Sequence, residues 1–138
     1  AQGIYCSDAK YIAVSMGAWT GDLIEAATIL RDEGYEVGVL RVRFYRPFPY
    51  EDLRNVSGVD GIVVFDRGVS FGALGPLYAD LVTGMYRYSR KLPVISNIVA
   101  GVGGVNITYT DFYMLVKEFI ETIERGEEPP RFRWYHKR

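Results

Sequence analysis

"YIAVSMGAWTGDLIEAATILRDEGYEVGVLRVRF", residues 11–44, changes its hydrophobic period twice, and those changes decide the fold. Residues 11–16, "YIAVSM", form a short apolar run closed by Gly17, the pattern of a strand buried on both faces. From Thr20 the spacing becomes helical. Leu23, Ala27 and Leu30 share a stripe with Ile24 beside it, Thr20 is the expected N-cap, and Gly34 ends the helix. Residues 36–44, "EVGVLRVRF", then read as a second strand.

The alternation continues down the chain. A short helix is expected at about 50–56, a third strand at 60–66 ("DGIVVFD") and a glycine-rich loop at 67–76 ("RGVSFGALGP"). A helix over about 76–90 places Leu77, Leu81, Met85 and Tyr88 on one side. Gly84 weakens that helix by about 1 kcal/mol relative to Ala. Residues 93–100 ("PVISNIVA") form the fourth strand, followed by "GVGG" at 101–104. Thr108 with Asp111 makes a variant capping box before a last helix, whose core stripe is Phe112, Leu115, Phe119, Ile120 and Ile123. Regular alternation of this kind predicts an α/β fold: a three-layer open sheet, mostly parallel, with right-handed crossovers. Residues 1–127 are expected to form that one domain, and 128–138 an extended basic and aromatic tail leaving it.

Composition limits the chemistry. At 138 residues the chain is one domain in size, and its 49% hydrophobic and 24% charged residues match ordinary globular usage. A formal net charge of -1 gives no compositional case for nucleic acid or an anionic membrane. Cys6 is the one cysteine, which leaves no disulfide framework and no cysteine cluster site and points to a reducing, cytoplasmic setting. His136 is the one histidine and lies in the tail, against a His-based metal cluster or a Ser-His-Asp triad. No apolar run approaches the roughly 20 residues of a spanning helix. The chain starts at Ala1 rather than Met, as a processed protein or a piece of something longer would.

In open parallel sheets the loops leaving the C-terminal strand ends gather on one edge, where ligands usually bind. Here those loops carry "GAWTGD" with Trp19 and Thr20, "RFYRPFP", "DRGVSFG", and "GVGG" with Gly103 and Gly104. Arg41 and Arg43 are two apart and share a strand face, and Arg46 follows the strand. A guanidinium keeps its charge, so any buried part needs an internal partner such as Asp66 or something docked against it. Pro47 and Pro49 stiffen the backbone around Phe48, whose ring either anchors an interface or plugs its own core. "DRGVSFGALGP" lacks the Walker and Rossmann patterns, and a tight turn competes there with a phosphate cradle. Tyr86 and Tyr88 among Arg87, Arg90 and Lys91 are a surface or subunit contact before they are a nucleobase platform.

Taken in order, "VSMGAWTGDLIEAATILRDEGYEVGVLRVRFYRPFPYEDL", "GIVVFDRGVSFGALGPL" and "IVAGVGGVNIT" resemble the transketolase C-terminal-like second domain of the pyruvate and 2-oxoacid:ferredoxin oxidoreductases, alpha-subunit type. The resemblance covers most of residues 10–126. It rests on the Arg-Pro-Phe-Pro turn, the Asp-Arg-x-x-Ser-x-Gly loop and Gly-x-Gly-Gly-x-Asn-Ile-Thr. Ala18 and Asn106 depart from the family's usual Ser and Asp.

What the resemblance implies is a non-catalytic structural or interface domain of an oligomeric oxidoreductase. That enzyme oxidatively decarboxylates a 2-oxoacid, pyruvate first among candidates, to an acyl-CoA. Thiamine diphosphate, iron-sulfur clusters and CoA are implied for the complete enzyme and none is expected on this chain alone. The partners implied are the enzyme's other domains or subunits, and ferredoxin through the whole complex. Nucleic acid and membrane are not expected partners. The residues assigned to docking or anion binding are Arg41, Arg43, Arg46, Phe48, Asp66, Arg67, Ser70 and Gly72, with Trp19, Thr20, Gly103 and Gly104 in loops at the sheet edge. No residue is assigned a catalytic role. A transketolase or oxoacid dehydrogenase beta-type domain, and a freestanding anion-binding or regulatory module, are the alternatives.

Overall fold

A computed structural model describes residues 1–43, 45–70 and 74–137. Its sheet contains β1 (Gln2–Ile4), β2 (Tyr11–Met16), β3 (Val37–Val42), β4 (Gly61–Asp66), β5 (Val94–Val99) and β6 (Phe132–Trp134), in the spatial order β1-β3-β2-β4-β5-β6. Every neighbouring pair is parallel except β1 with β3. Helices α1 (Thr20–Asp32), α2 (Pro76–Tyr88) and α3 (Tyr109–Glu124) and a 3-10 helix at Tyr50–Val56 connect the strands.

The predicted α/β architecture is therefore present as three layers. On one sheet face α1 and α3 cover Tyr11, Ala13, Val39, Val63, Phe65 and Ile98. On the other, α2 and the 3-10 helix cover Ile12, Val14, Leu40, Val42, Ile62 and Val64. The alternation of these two sets is the period of two expected of strands covered on both sides. Phe112 of α3 packs edge-on against Phe65 at 4.9 Å and Trp19 at 5.4 Å. Full burial of a ring of that size stabilises by about 3 kcal/mol.

Close packing leaves little room for a side chain at several glycines, and two of them bear on α2. A Cβ on Gly84 of α2 would stand 2.3 Å from Leu53 Cδ1, so the 3-10 helix packs into the space a side chain there would take. A Cβ on Gly75 would stand 2.1 Å from Asp66 Oδ2.

Local structure departs from the sequence reading in three places. Thr20 is the first residue of α1 and Trp19 is its N-cap, with no side-chain cap bond. The Thr20 hydroxyl is instead buried against Ser15 Oγ at 2.7 Å, where pairing one hydroxyl with another outweighs capping. The segment expected to leave the domain comes back to it, because Phe132–Trp134 add a parallel strand to β5 in the register Asn97↔Phe132, Ile98↔Arg133, Val99↔Trp134. Gln2–Ile4, in which no strand was expected, pair antiparallel with the outer edge of β3.

Candidate functional site

The chain runs from β2 to β3 on one side and then to β4 on the other, so the loops after β2 and β4 separate at the C-terminal edge of the sheet. This is the switch point at which open α/β sheets form their crevice. Here a crevice of about 340 Å³ is walled by Met16, Trp19, Phe65, Asp66, Arg67 and Pro76. The Arg67 guanidinium carbon lies 4.6 Å from the centroid of the Trp19 ring, a cation-π distance. Trp19 is 4% exposed, and its Nε1–H has no hydrogen-bond partner among the described residues.

Asp66, at the end of β4, turns inward. Its carboxylate accepts the backbone N–H groups of Leu77 at 2.9 Å and Tyr78 at 3.2 Å and the Asn97 side-chain amide at 2.9 Å. The other end of the Asn97 amide accepts the Gly75 N–H at 2.8 Å. The N-terminus of α2, which could have faced a phosphate, is thus filled by the protein's own anion. Burial, the largest influence, pushes the Asp66 carboxyl above its usual range against the lowering effect of these hydrogen bonds. Asp66 forms no ion pair with the arginines it was expected to neutralise among the described residues.

The arginines spread along the edge. Arg41 is half-buried in β3 opposite Ser15 of β2, and Arg43 is exposed with Nη2 donating to Gln2 Oε1 at 3.1 Å. Among the described residues no carboxylate lies within ion-pair distance of Arg41, Arg43 or Arg67. Arg46 pairs with Asp80 of α2 at 3.2 Å and lies over the Tyr45 ring at 4.1 Å, with its side chain 65% exposed. Phe48 is buried between Tyr45 and Tyr50 in the core beneath α2, so its ring is a plug within this chain. Ser70 is exposed, with its N–H donating to Leu74 O at 3.3 Å, and Gly72 lies outside the described residues.

The "GVGG" turn holds Gly101, Gly103 and Gly104 at φ of 72°, 75° and 80°, conformations that favour glycine. Gly103 and Gly104 are exposed. Past the turn, Asp111 reaches back to accept the Thr108 N–H at 2.9 Å, the return half of the expected capping box. The same carboxylate accepts Tyr135 Oη–H at 2.8 Å and Lys137 Nζ at 2.9 Å. Burial alone would raise the Asp111 carboxyl, but the Thr108 N–H, Lys137, Tyr135 and the Thr108 hydroxyl together hold it below the usual range. Asn97, Tyr135 and Lys137 organise this edge without having been singled out. Asn97 reads as an ordinary strand residue, and its one signal is an amide inside an otherwise apolar run.

Residues 9–112 match the family described as pyruvate:ferredoxin oxidoreductase core domain II. The ketoisovalerate oxidoreductase subunit VorA of Pyrococcus furiosus is 37% identical over 133 residues, which cover 96% of this chain and 34% of that protein. The pyruvate synthase subunit PorA of Thermotoga maritima is 38% identical over 101 residues, covering 72% of this chain and 26% of that protein. The chain thus spans between a quarter and a third of the length of these relatives. Among solved structures, a split-gene transketolase described as an inactive beta4 tetramer superposes with a TM-score of 0.61 over 85% of this chain and 41% of that one, at 19% identity. That likeness shows the transketolase C-terminal-like fold.

Proposed function

Because this chain belongs to the pyruvate:ferredoxin oxidoreductase core domain II family, we propose that it is the non-catalytic interface domain of a cytoplasmic 2-oxoacid:ferredoxin oxidoreductase. The complete enzyme would convert a 2-oxoacid to an acyl-CoA and pass the electrons to ferredoxin. Ketoisovalerate and pyruvate, the acids in the relatives' names, are the candidate substrates.

One observation carries the interface role. Arg41, Arg43 and Arg67 stand along one sheet edge with no carboxylate of the described residues in ion-pair reach. A neighbouring domain with an acidic surface would supply the missing charge, and such complementarity governs register and speed of association more than raw affinity.

Cysteine content and the start of α2 bear on two of the cofactors of such an enzyme. An iron-sulfur cluster takes four protein ligands, usually cysteine thiolates and in some centres two histidines, whereas this chain has Cys6 and His136 alone of those types. Among the described residues no three His, Cys, Asp or Glu side chains converge on a metal position. A diphosphate is excluded from the α2 N-terminus by Asp66. No step of the reaction is therefore assigned to these residues.

Co-expression with the remaining subunits of its source enzyme tests the proposal. Arg41→Glu with Arg43→Glu should abolish co-purification, and the wild-type complex should weaken as salt rises, because exposed charges are screened within about 10 Å at 0.1 M. A wild-type chain that co-purifies with none of those subunits, or a double variant that assembles normally, would overturn it.

A further inference from the structure

We propose that residues 131–137 are a strap that opens from β5 as one unit while the rest of the domain stays folded. The strap covers little and is covered little. Of residues 127–137 only Pro129 is buried, whereas all six residues of β4 are. A cavity of about 30 Å³ persists beneath it between Ile98, Leu115, Phe119, Pro130 and Arg133, so the seam with α3 is not closely packed. Segments with few buried apolar contacts open at the low end of a protein's range of local stabilities.

Its attachments fall at two ends. At the near end the Asn97 N–H donates to Arg131 O at 2.8 Å and the Ser96 hydroxyl to Pro130 O at 2.8 Å. At the far end the Tyr135 N–H donates to Val99 O at 2.8 Å, while Tyr135 Oη–H and Lys137 Nζ donate to the Asp111 carboxylate at 2.8 and 2.9 Å. Between them lie the three ladder positions of β6 and the exposed pair of Arg133 with Glu118 at 3.0 Å. The far latch closes on a buried carboxylate, so the strap cannot peel from Tyr135 without giving up two charge-assisted bonds. Once those are gone, three strand residues are too few to keep the ladder by themselves, and the near end follows. Asp111 retains the Thr108 N–H throughout, so α3 stays capped.

The pivot is equally local. Gly126 takes a φ of 79°, and Pro129 and Pro130 stiffen the chain beyond it, so rotation concentrates at residues 126–128 and the strap swings rather than unravels. Opening makes β5 the free edge of the sheet, with the Asn97 N–H and Val99 O available to another strand. The strap is thus a guard on that edge, and its opening belongs to this chain whether or not other subunits are docked.

The test is native-state hydrogen exchange of the 138-residue chain, read by proton-nitrogen NMR in denaturant too dilute to unfold it. The Asn97 amide reports the near end, the Tyr135 amide the far end, and the amides of Val63 and Val64 the core. After correction for intrinsic rates, Asn97 and Tyr135 should share one protection factor, at least about a hundredfold below that of the β4 amides and insensitive to the denaturant. Ile12→Val, in the core on both sides of the opening, should lower the β4 protection about fivefold and leave that of Asn97 and Tyr135 unchanged. Lys137→Met should lower the protection of Asn97 about tenfold although Lys137 touches neither that amide nor its acceptor. The proposal is overturned if Tyr135 exchanges well ahead of Asn97, which is fraying, or if both share the β4 protection. It is equally overturned if Ile12→Val lowers all four amides alike or Lys137→Met leaves Asn97 unmoved.

Discussion

Asn97 and Asp66, on neighbouring strands, share a hydrogen bond of 2.9 Å, and between them they receive three backbone N–H groups, those of Gly75, Leu77 and Tyr78, from the start of α2. The beginning of that helix is thus held by side chains of β4 and β5. Asp66→Ala leaves the Leu77 and Tyr78 N–H groups without an acceptor in a site 6% exposed and takes one of the two acceptors of the Asn97 amide, which keeps Val64 O at 3.1 Å; each buried orphan costs about 1–3 kcal/mol. A total loss of about 3–5 kcal/mol is expected. Urea unfolding followed by circular dichroism should show the midpoint falling by at least about 1 M.

Gly75→Ala should reproduce part of that loss, because its Cβ would meet Asp66 Oδ2 at 2.1 Å and drive the carboxylate off its donors. A cost of about 2–3 kcal/mol is expected, against about 0.5 kcal/mol or less for Gly68→Ala, which meets nothing within 4 Å. Equal melting temperatures for the two variants would contradict the account.

At Gly84 packing and propensity oppose each other. Alanine gains about 1 kcal/mol of helix propensity, but a Cβ 2.3 Å from Leu53 Cδ1 and 2.8 Å from Tyr50 Cδ1 overpacks the seat of the 3-10 helix. Overpacking of this kind costs about 1–3 kcal/mol, so Gly84→Ala should destabilise by about 1 kcal/mol net. Calorimetry gives the sign directly, and a raised Tm would mean that the 3-10 helix moves aside freely.

Asp111 makes the C-terminal strand's anchorage acid-sensitive. Its folded pKa lies below the ordinary 3.8, so its contribution is fully present above that value and is lost as pH falls through the lowered folded one. Asp66 has the opposite sign: its raised value gives a contribution complete below 3.8 and lost as pH rises through the folded value. Asp111→Asn should therefore flatten the fall in stability below about pH 4, and in wild type the Tyr135 amide should exchange faster there. An unchanged acid limb in the variant would be inconsistent with the Asp111 contacts.

Arg46→Ala separates folding from docking. The pair with Asp80 is largely in water, where such bridges contribute little, so the variant should melt with the wild type. A large drop in Tm would show that Arg46 is structural.

The layers of this fold were legible because strands covered on both faces and amphipathic helices carry different periods. The four longer parallel strands and all three α-helices could be placed from the apolar spacing of their own residues. Strands β1 and β6 have three residues each, too few for a period, and owe their structure to distant edges, as when the Tyr135 N–H finds Val99 O at 2.8 Å. The site was legible as a set of loops but not as a set of partners. Trp19 and Arg67 were both singled out, yet nothing local says that one lies over the other. Asp66 was matched with arginines because charge is visible in a sequence, whereas the backbone donors that hold it appear only when α2 is in place.

Strand β6 follows α3 in the chain, so on a ribosome β5 must wait through the synthesis of a 16-residue helix before its outer margin is occupied. During that interval a nascent polypeptide presents an open template to its neighbours on the same messenger, and unpaired edges of that kind recruit other chains. Crowded translation is therefore a stage at which this architecture is open to misassembly.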